Sequence, residues 1–324
     1  MKIAAVRSAS PNDIKATINA LDKNKSLKVN GLYASDLEAL KTDAPELYYR
    51  VADFIKNDRW CPFVGSYSHT MEMSSAALIK SCLYSTQYFR TNFGKEYRVF
   101  HGAEIYNNSL PQIVYSSLFD ASVIDSETQT RWICSDDGHR TLSLYAPTVS
   151  VDDCCADDEY ITYEEYAQSL FASELNLNSL MLTAHYDETN NIEKELLNAE
   201  AYSVLTGQDH TADIKTAWLK YLSGDKKCAA EISERITNGN TADIMSAFRL
   251  SGDGIVISEL KYTEDGTGDV LLRVRETAGK EKGAYIICGR LNTGFRFEIM
   301  PYEIQTFRIK NDGSGNVTEI YICE

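Results

Sequence analysis

Short apolar or β-branched runs alternate with amphipathic helical patterns through the first 125 residues, and this alternation restricts the fold more than any other feature. Lys2–Val6 reads as a buried strand. Ser10, Pro11 and Asp13 then supply an N-cap, a first-turn proline and an N3 carboxylate, and Ile14, Ile18 and Leu21 share one face of the helix they open. Ser26–Tyr33 is the second expected strand. Asp43, Pro45 and Glu46 start another helix, with Leu47, Val51, Phe54 and Ile55 spaced to form its apolar stripe. Cys61–Val64 is strand three, Ser74–Phe93 a long helix, Arg98–His101 strand four, Pro111 the start of a short helix, and Ala121–Ile124 strand five. Strands separated by helices imply parallel neighbours, because a parallel pair needs a long crossover. The expected N-terminal fold is therefore a parallel sheet or an α/β barrel. In both, chemistry collects where strands end, which singles out Ser8–Ser10, Ser66–Thr70 and His101–Tyr106.

The texture then changes twice. Asp136, Asp137 and Gly138 read as a turn between the strands Arg131–Cys134 and Thr141–Tyr145. Asp152–Glu159, DDCCADDE, is an acidic solvated loop without the ligand spacing of a hard-cation site. From Tyr163 to Leu250 the pattern is helical, clearest over Glu193–Leu205 and Ala212–Leu222. After Gly252, six runs separated by Gly and Asp turns read as antiparallel strands: Ile255–Tyr262, Val270–Val274, Tyr285–Cys288, Phe295–Ile299, Ile304–Lys310 and Val317–Cys323. The expected organisation is an α/β multidomain chain: a barrel-like domain over 1–162, a helical bundle over 163–250 and a small sandwich-like antiparallel β module over 251–324.

Charge narrows the function classes. With 32 basic and 47 acidic side chains in 324 residues the formal net charge is −15, and neither nucleic acid nor an anionic membrane is an expected partner, since both need clustered Lys and Arg. The apolar run before Arg7 is too short for a signal peptide, and no run approaches the ~18 residues that span a bilayer, so a cytoplasmic location is expected. Eight cysteines without a CxxC pair suggest buried thiols rather than a zinc or redox motif. Neither a GxSxG elbow, a Walker A loop nor a GxGxxG fingerprint is present, and no cofactor is expected.

Several segments, in order, resemble the catalytic region of glycoside hydrolase family 38, the α-mannosidases. They are PELYYRVADFIKNDRWCPFVG (Pro45–Gly65), YSTQYFRTNFGKEYRVF (Tyr84–Phe100), SLPQIVYSSL (Ser109–Leu118) and RWICSDDGHRTLSLYAP (Arg131–Pro147). LTAHYDETNNIEKELLNAEAYSVLTG (Leu182–Gly207), with its Ala199-Glu200 pair, is similar to the entry into that family's helical bundle. Gly254–Thr277 and Met300–Ile309 are similar to its last strands. The resemblance implies a zinc ion gripping two sugar hydroxyls and a carboxylate nucleophile that also ligates it. The corresponding windows here lack those side chains. AVRSASP (Ala5–Pro11) has no His-x-Asp, the nucleophile position falls on Gly102, and the bundle's His-Asp pair is replaced by SGDKKC with Lys226 and Lys227. The resemblance thus implies a shortened relative without its metal, and no retaining mechanism across two close carboxyls.

Two readings follow from these residues. In the first, the chain is a catalytically inactive α-mannosidase-like protein that binds a carbohydrate, a protein partner or a second copy, with Tyr67, His101, Tyr106 and Trp132 near the sugar cleft. In the second, it is an active glycosidase in which Glu104 replaces the lost carboxylate and Asp137, or Asp136, supplies the acid. Against these stands a plainer expectation: Glu104 caps a turn, His101 hydrogen-bonds at the barrel rim, His69 beside Glu72 is structural, and five scattered histidines form no metal cluster.

Overall fold

A computed structural model of the chain describes residues 2–6, 8–65, 74–102, 109–124, 129–135, 137–155, 158–172, 177–181 and 189–322. The first half runs β1 (Ile3–Ala5), α1 (Pro11–Lys23), β2 (Val29–Asn30), α2 (Ala34–Asp43), α3 (Pro45–Lys56), β3 (Trp60–Cys61), β4 (Val64–Gly65), α4 (Ser75–Phe93), β5 (Val99–Gly102), α5 (Leu110–Ser116), β6 (Ala121–Ile124), β7 (Arg131–Cys134), β8 (Arg140–Leu144) and β9 (Thr148–Ser150). The second half runs α6 (Tyr163–Phe171), β10 (Ser179–Met181), α7 (Asn191–Thr206), α8 (Thr211–Leu222), α9 (Lys226–Thr237), α10 (Ile244–Ala247), β11 (Arg249–Ser251), β12 (Ile255–Tyr262), β13 (Val270–Glu276), β14 (Lys282–Cys288), β15 (Thr293–Ile299), β16 (Ile304–Ile309) and β17 (Val317–Ile320).

Helix starts follow their caps. Ser10 Oγ accepts the Asp13 N–H at 3.2 Å, and Thr162 with Glu165 and Asn190 with Glu193 form reciprocal capping boxes. Helix α2 was not expected. Its buried face is only Ala34, Leu37 and Leu40, too sparse a stripe to stand out, and its start is held by Asp36 accepting the Tyr33 N–H at 2.8 Å.

The N-terminal strands form two sheets. One is all parallel in the order β3-β2-β1-β9; the other runs β10-β7-β8-β6-β5-β4, with β4, β5, β6 and β8 parallel and β7 antiparallel to β8. The expected strand Cys61–Val64 is split at Pro62, which has no N–H for a ladder, so β3 serves the first sheet and β4 the second. Likewise β8 joins the second sheet and β9, four residues on, the first. Both edges of the first sheet are thus continuous in the chain with members of the second. Gly65 ends β4 at φ 103°, and a Cβ there would collide with the Phe100 ring on β5. Asn30, fully buried, donates to the Ala4 and Ile161 carbonyls and accepts the Tyr163 N–H, tying β1, β2 and the start of α6 together.

Helices α7, α8 and α9 pack on one another, and their apolar faces share a continuous core with α1 to α5, through Leu196, Ala199, Ala217 and Trp218. Strand β10 interrupts the region expected to be helical, pairing with β7. In the C-terminal module a three-stranded sheet, β11-β14-β15, faces a four-stranded one, β12-β13-β16-β17. Both contribute to one core, including Leu260, Leu272, Val274, Ile286, Ile299 and Phe307, and Ala201 and Val204 of α7 enter it. The fold is an α/β multidomain architecture with parallel sheet, helical cluster and antiparallel C-terminal sheets. Among the described residues no helix is long and apolar enough to cross a membrane.

Candidate functional site

The strand ends were the expected place for chemistry. Of the residues expected there, Tyr67, His69, Glu104, Tyr106 and Asp136 lie outside the described residues. At the end of β1 the chain passes to Ser8 and Ser10, whose hydroxyls both bond the Asp13 carboxylate, so that acid is spent on starting α1. After β2, Gly31 receives the Trp60 indole N–H on its carbonyl at 2.9 Å.

His101 sits on β5 with 3% of its surface exposed. Its ring stacks on Phe63 at 4.5 Å between centroids and meets Tyr163 edge-on at 5.3 Å, while Phe63 meets Tyr33 at 5.2 Å. Four rings from separate elements form one column. Burial lowers the His101 pKa to about 3, opposed only in part by the Val64 and Val99 carbonyls, which approach outside hydrogen-bonding geometry. A neutral imidazole packed between rings behaves as core.

Asp137 and Trp132 share the β7–β8 hairpin. Ser135 Oγ donates to Asp137 Oδ1, and the His139 ring stands 3.2 Å from Oδ2. The His139 backbone N–H also bonds Asp137 at 3.0 Å. Burial alone would raise the Asp137 pKa, but these contacts outweigh it and keep the carboxyl ionised below its usual range; its ion pair in turn raises His139. An ionised carboxylate accepts protons and does not deliver them. Trp132 is half-buried beneath the Arg140 guanidinium at 4.6 Å. Register places this turn at the edge where β8 begins, whereas the chain leaves β5 at Gly102 from the opposite, C-terminal edge of the same parallel set.

The described residues do not fit a zinc ion. No group of three or more His, Cys, Asp or Glu that could hold a metal occurs among the described residues, Gly102 is the last residue of β5, and Lys226 and Lys227 stand exposed at the start of α9.

A dense polar constellation among the described residues lies elsewhere, where α4, α7, α8 and β12 meet. Lys80, 1% exposed, places Nζ 2.5 Å from both Glu200 Oε1 and Glu259 Oε1. Trp218 Nε1 donates to Glu200 Oε1 at 3.0 Å, and Glu259 also pairs with Arg273 on β13. Beside them Lys261 reaches Glu264 at 3.0 Å, Lys215 approaches it at 3.4 Å, and the Tyr84 hydroxyl donates to it at 3.1 Å. Desolvation lowers the Lys80 pKa to about 7, against the pull of Glu200 and with Lys261 adding repulsion. Burial would raise Glu264, yet Lys261, Lys80 and Lys215 hold it at about 2. Sequence reading missed this group. The one available signal was charge inside apolar runs, as in ISELKY of β12 and VLLRVRE of β13.

No protein-family model matches the sequence, and no curated protein matches it. Solved structures do. A protein in glycosyl hydrolase family 38 from Enterococcus faecalis superposes on 98% of this chain and 59% of its own, with TM-score 0.51 and 10% identity. An α-mannosidase from Enterococcus faecalis V583 does so over 95% and 56%, with TM-score 0.54 and 10% identity. A 4-α-glucanotransferase from Thermococcus litoralis covers 93% and 67%, at TM-score 0.50 and 10% identity. The chain spans a little over half the length of the first two. At such identity the likeness speaks for the fold alone.

Proposed function

We propose that this chain is a shortened α-mannosidase-like protein, related to glycoside hydrolase family 38, that holds a glycan without hydrolysing it. One observation carries the reading: likeness to a family 38 protein and an α-mannosidase extends over 95–98% of the chain, while its described residues contain no metal-holding group. In this reading residues 1–162 form the sugar-facing domain, and 163–250 and 251–324 buttress it. The chain continuity of the edge strands β3 and β9 of the first sheet with β4 and β8 of the second supports reading the two sheets as parts of one barrel-like layer. Tyr67 and Tyr106, which follow β4 and β5 in sequence, are assigned to stacking on the ring, with Trp132 farther round the same sheet. Asp137, ionised and at the far edge of the strands, is assigned no acid role.

The test joins three measurements on the full chain: elemental analysis, turnover of aryl α-mannosides, and a glycan array. Absence of stoichiometric zinc, no turnover, and array binding weakened by Tyr67→Ala and Tyr106→Ala are the expected results. Mannoside hydrolysis abolished by a chelator, or an array without hits, would overturn the reading.

A further inference from the structure

A cavity of about 170 Å³ opens between α4 and the four-stranded sheet, walled by Leu83 and Gln87 on one side and by Lys261, Glu264, Arg308 and Ile320 on the other. A cavity of about 150 Å³ admits one benzene-sized molecule, so this one has room for a single six-membered ring. Behind it lies a space of about 10 Å³ beside Tyr84 and Glu200, large enough only for water.

The lining is charge-paired. Lys261 is matched by Glu264 at 3.0 Å, and Arg308 by Asp265 and Asp269 at 2.7 Å each. A phosphate or a cation would have to break one of these pairs to find a counter-charge, whereas a neutral ligand leaves them intact. Hydrogen-bonding capacity nevertheless remains. Glu264 Oε1 accepts from Tyr84 and Lys261, while buried Oε2 has no hydrogen bond and only Lys215 Nζ at 3.4 Å. Gln87 accepts Lys215 Nζ on Oε1 at 2.8 Å, which fixes its amide and leaves both Nε2 protons without a partner among the described residues. Leu83 and Ile320 add apolar wall. Acceptor, donor and apolar face around ring-sized space are the needs of a polyhydroxylated ring, whose hydroxyls give and take hydrogen bonds while its C–H face packs on aliphatic carbon.

We propose that this cavity binds one neutral polyhydroxylated ring, a hexopyranose or a cyclitol, with Glu264 and Gln87 holding hydroxyls and Leu83 and Ile320 covering the ring face. The site goes beyond the glycan reading above and shares with it none of the described residues that line the cavity, so either can fail alone.

The test uses the full chain, with ligand-observed NMR titrations of methyl α-mannopyranoside, methyl α-glucopyranoside, myo-inositol, glucuronate and inorganic phosphate. Saturable binding of at least one neutral ring, with glucuronate and phosphate inert, is expected. Leu83→Trp fills the cavity and should abolish it. Gln87→Ala, on a half-exposed position where folding is safe, should weaken it about tenfold, as loss of a ligand hydrogen bond does. Binding unchanged in both variants, no saturable neutral ring, or preference for the anions would overturn the proposal. Tyr67→Ala, which removes a ring assigned to the strand-end reading, should leave these titrations unaltered and so separates the two sites.

Discussion

Lys80 Nζ lies 2.5 Å from Glu200 Oε1 although 120 residues separate them in the chain, and neither side chain exposes more than 2% of its surface. The contact joins α4 to α7, and the second carboxylate on the same ammonium, Glu259, joins both to β12. Desolvating these charges is costly, and only close pairing, with Arg273 as a second cation on Glu259, offsets it.

Removing the cation alone should therefore be severe. Lys80→Met leaves Glu200 and Glu259 facing each other in the core and is expected to lower stability by about 3–5 kcal/mol, the cost of breaking a buried pair. Urea unfolding monitored by tryptophan fluorescence measures it. Replacing Lys80 and Glu200 together by Met and Gln, which leaves Glu259 on Arg273 and keeps an acceptor for the Trp218 indole, should cost less than Lys80→Met alone; equal losses would mean that packing, not charge, sets the penalty.

His101 is neutral in the fold, with its pKa near 3 against 6.5 for the free side chain. The unfolded chain binds a proton there that the folded one refuses, so stability falls as pH drops from 6.5 towards 3, with a slope contribution of about 1.4 kcal/mol per pH unit. His101→Phe keeps the ring stack on Phe63 and should remove that contribution. Denaturation midpoints at a series of pH values give the slopes, and identical slopes in the two proteins would contradict the assignment.

Glu276 has no exposed surface and accepts backbone N–H groups from Ala278, Gly279, Lys280 and Tyr302, with Lys282 at 3.1 Å. Burial alone would raise its pKa, but these donors hold it at about 2, below the usual 4.5. A depressed carboxylate contributes stability that is complete above pH 4.5 and lost as pH falls through 2. Glu276→Gln should cost about 2 kcal/mol at neutral pH, as for a charged hydrogen-bond acceptor, and shrink the loss on acidification. Thermal melts at neutral and acidic pH read both effects.

Gly65 combines a left-handed backbone at φ 103° with the Phe100 ring against its α-carbon. Gly65→Ala should destabilise by more than about 1 kcal/mol, because the methyl strains the backbone and also overpacks the β4–β5 contact. Adding Phe100→Leu to the Gly65→Ala variant should recover part of the loss. Calorimetry of the single and double variants decides, and a harmless Gly65→Ala would show that the ring moves aside freely.

Much of the fold was legible because its signals are local. The start of α1 at Ser10, Pro11 and Asp13 needs only neighbours within one turn, and strand β12 was readable to its ends. Where local signals were weak the reading failed: α2 had too few apolar residues, β9 and β10 are three-residue strands that exist only through their partners, and the strand at Cys61–Val64 divided because a proline broke its ladder.

The candidate site was less legible, for the same reason. Residue types along the chain set the expectation of a missing metal, since Gly102, Lys226 and Lys227 fall at positions that the family resemblance reserves for ligands. Position and proton affinity were decided by residues distant in the chain. Phe63 and Tyr163 make His101 neutral core, the strand register sets Asp137 at the edge opposite the end of β5, and Glu200 and Glu259 give Lys80 its partners. Periodicity and capping act within about four residues, so the chain writes them in order. Desolvation and charge pairing depend on distances in space, and those exist only once the sheets and helices have closed on one another.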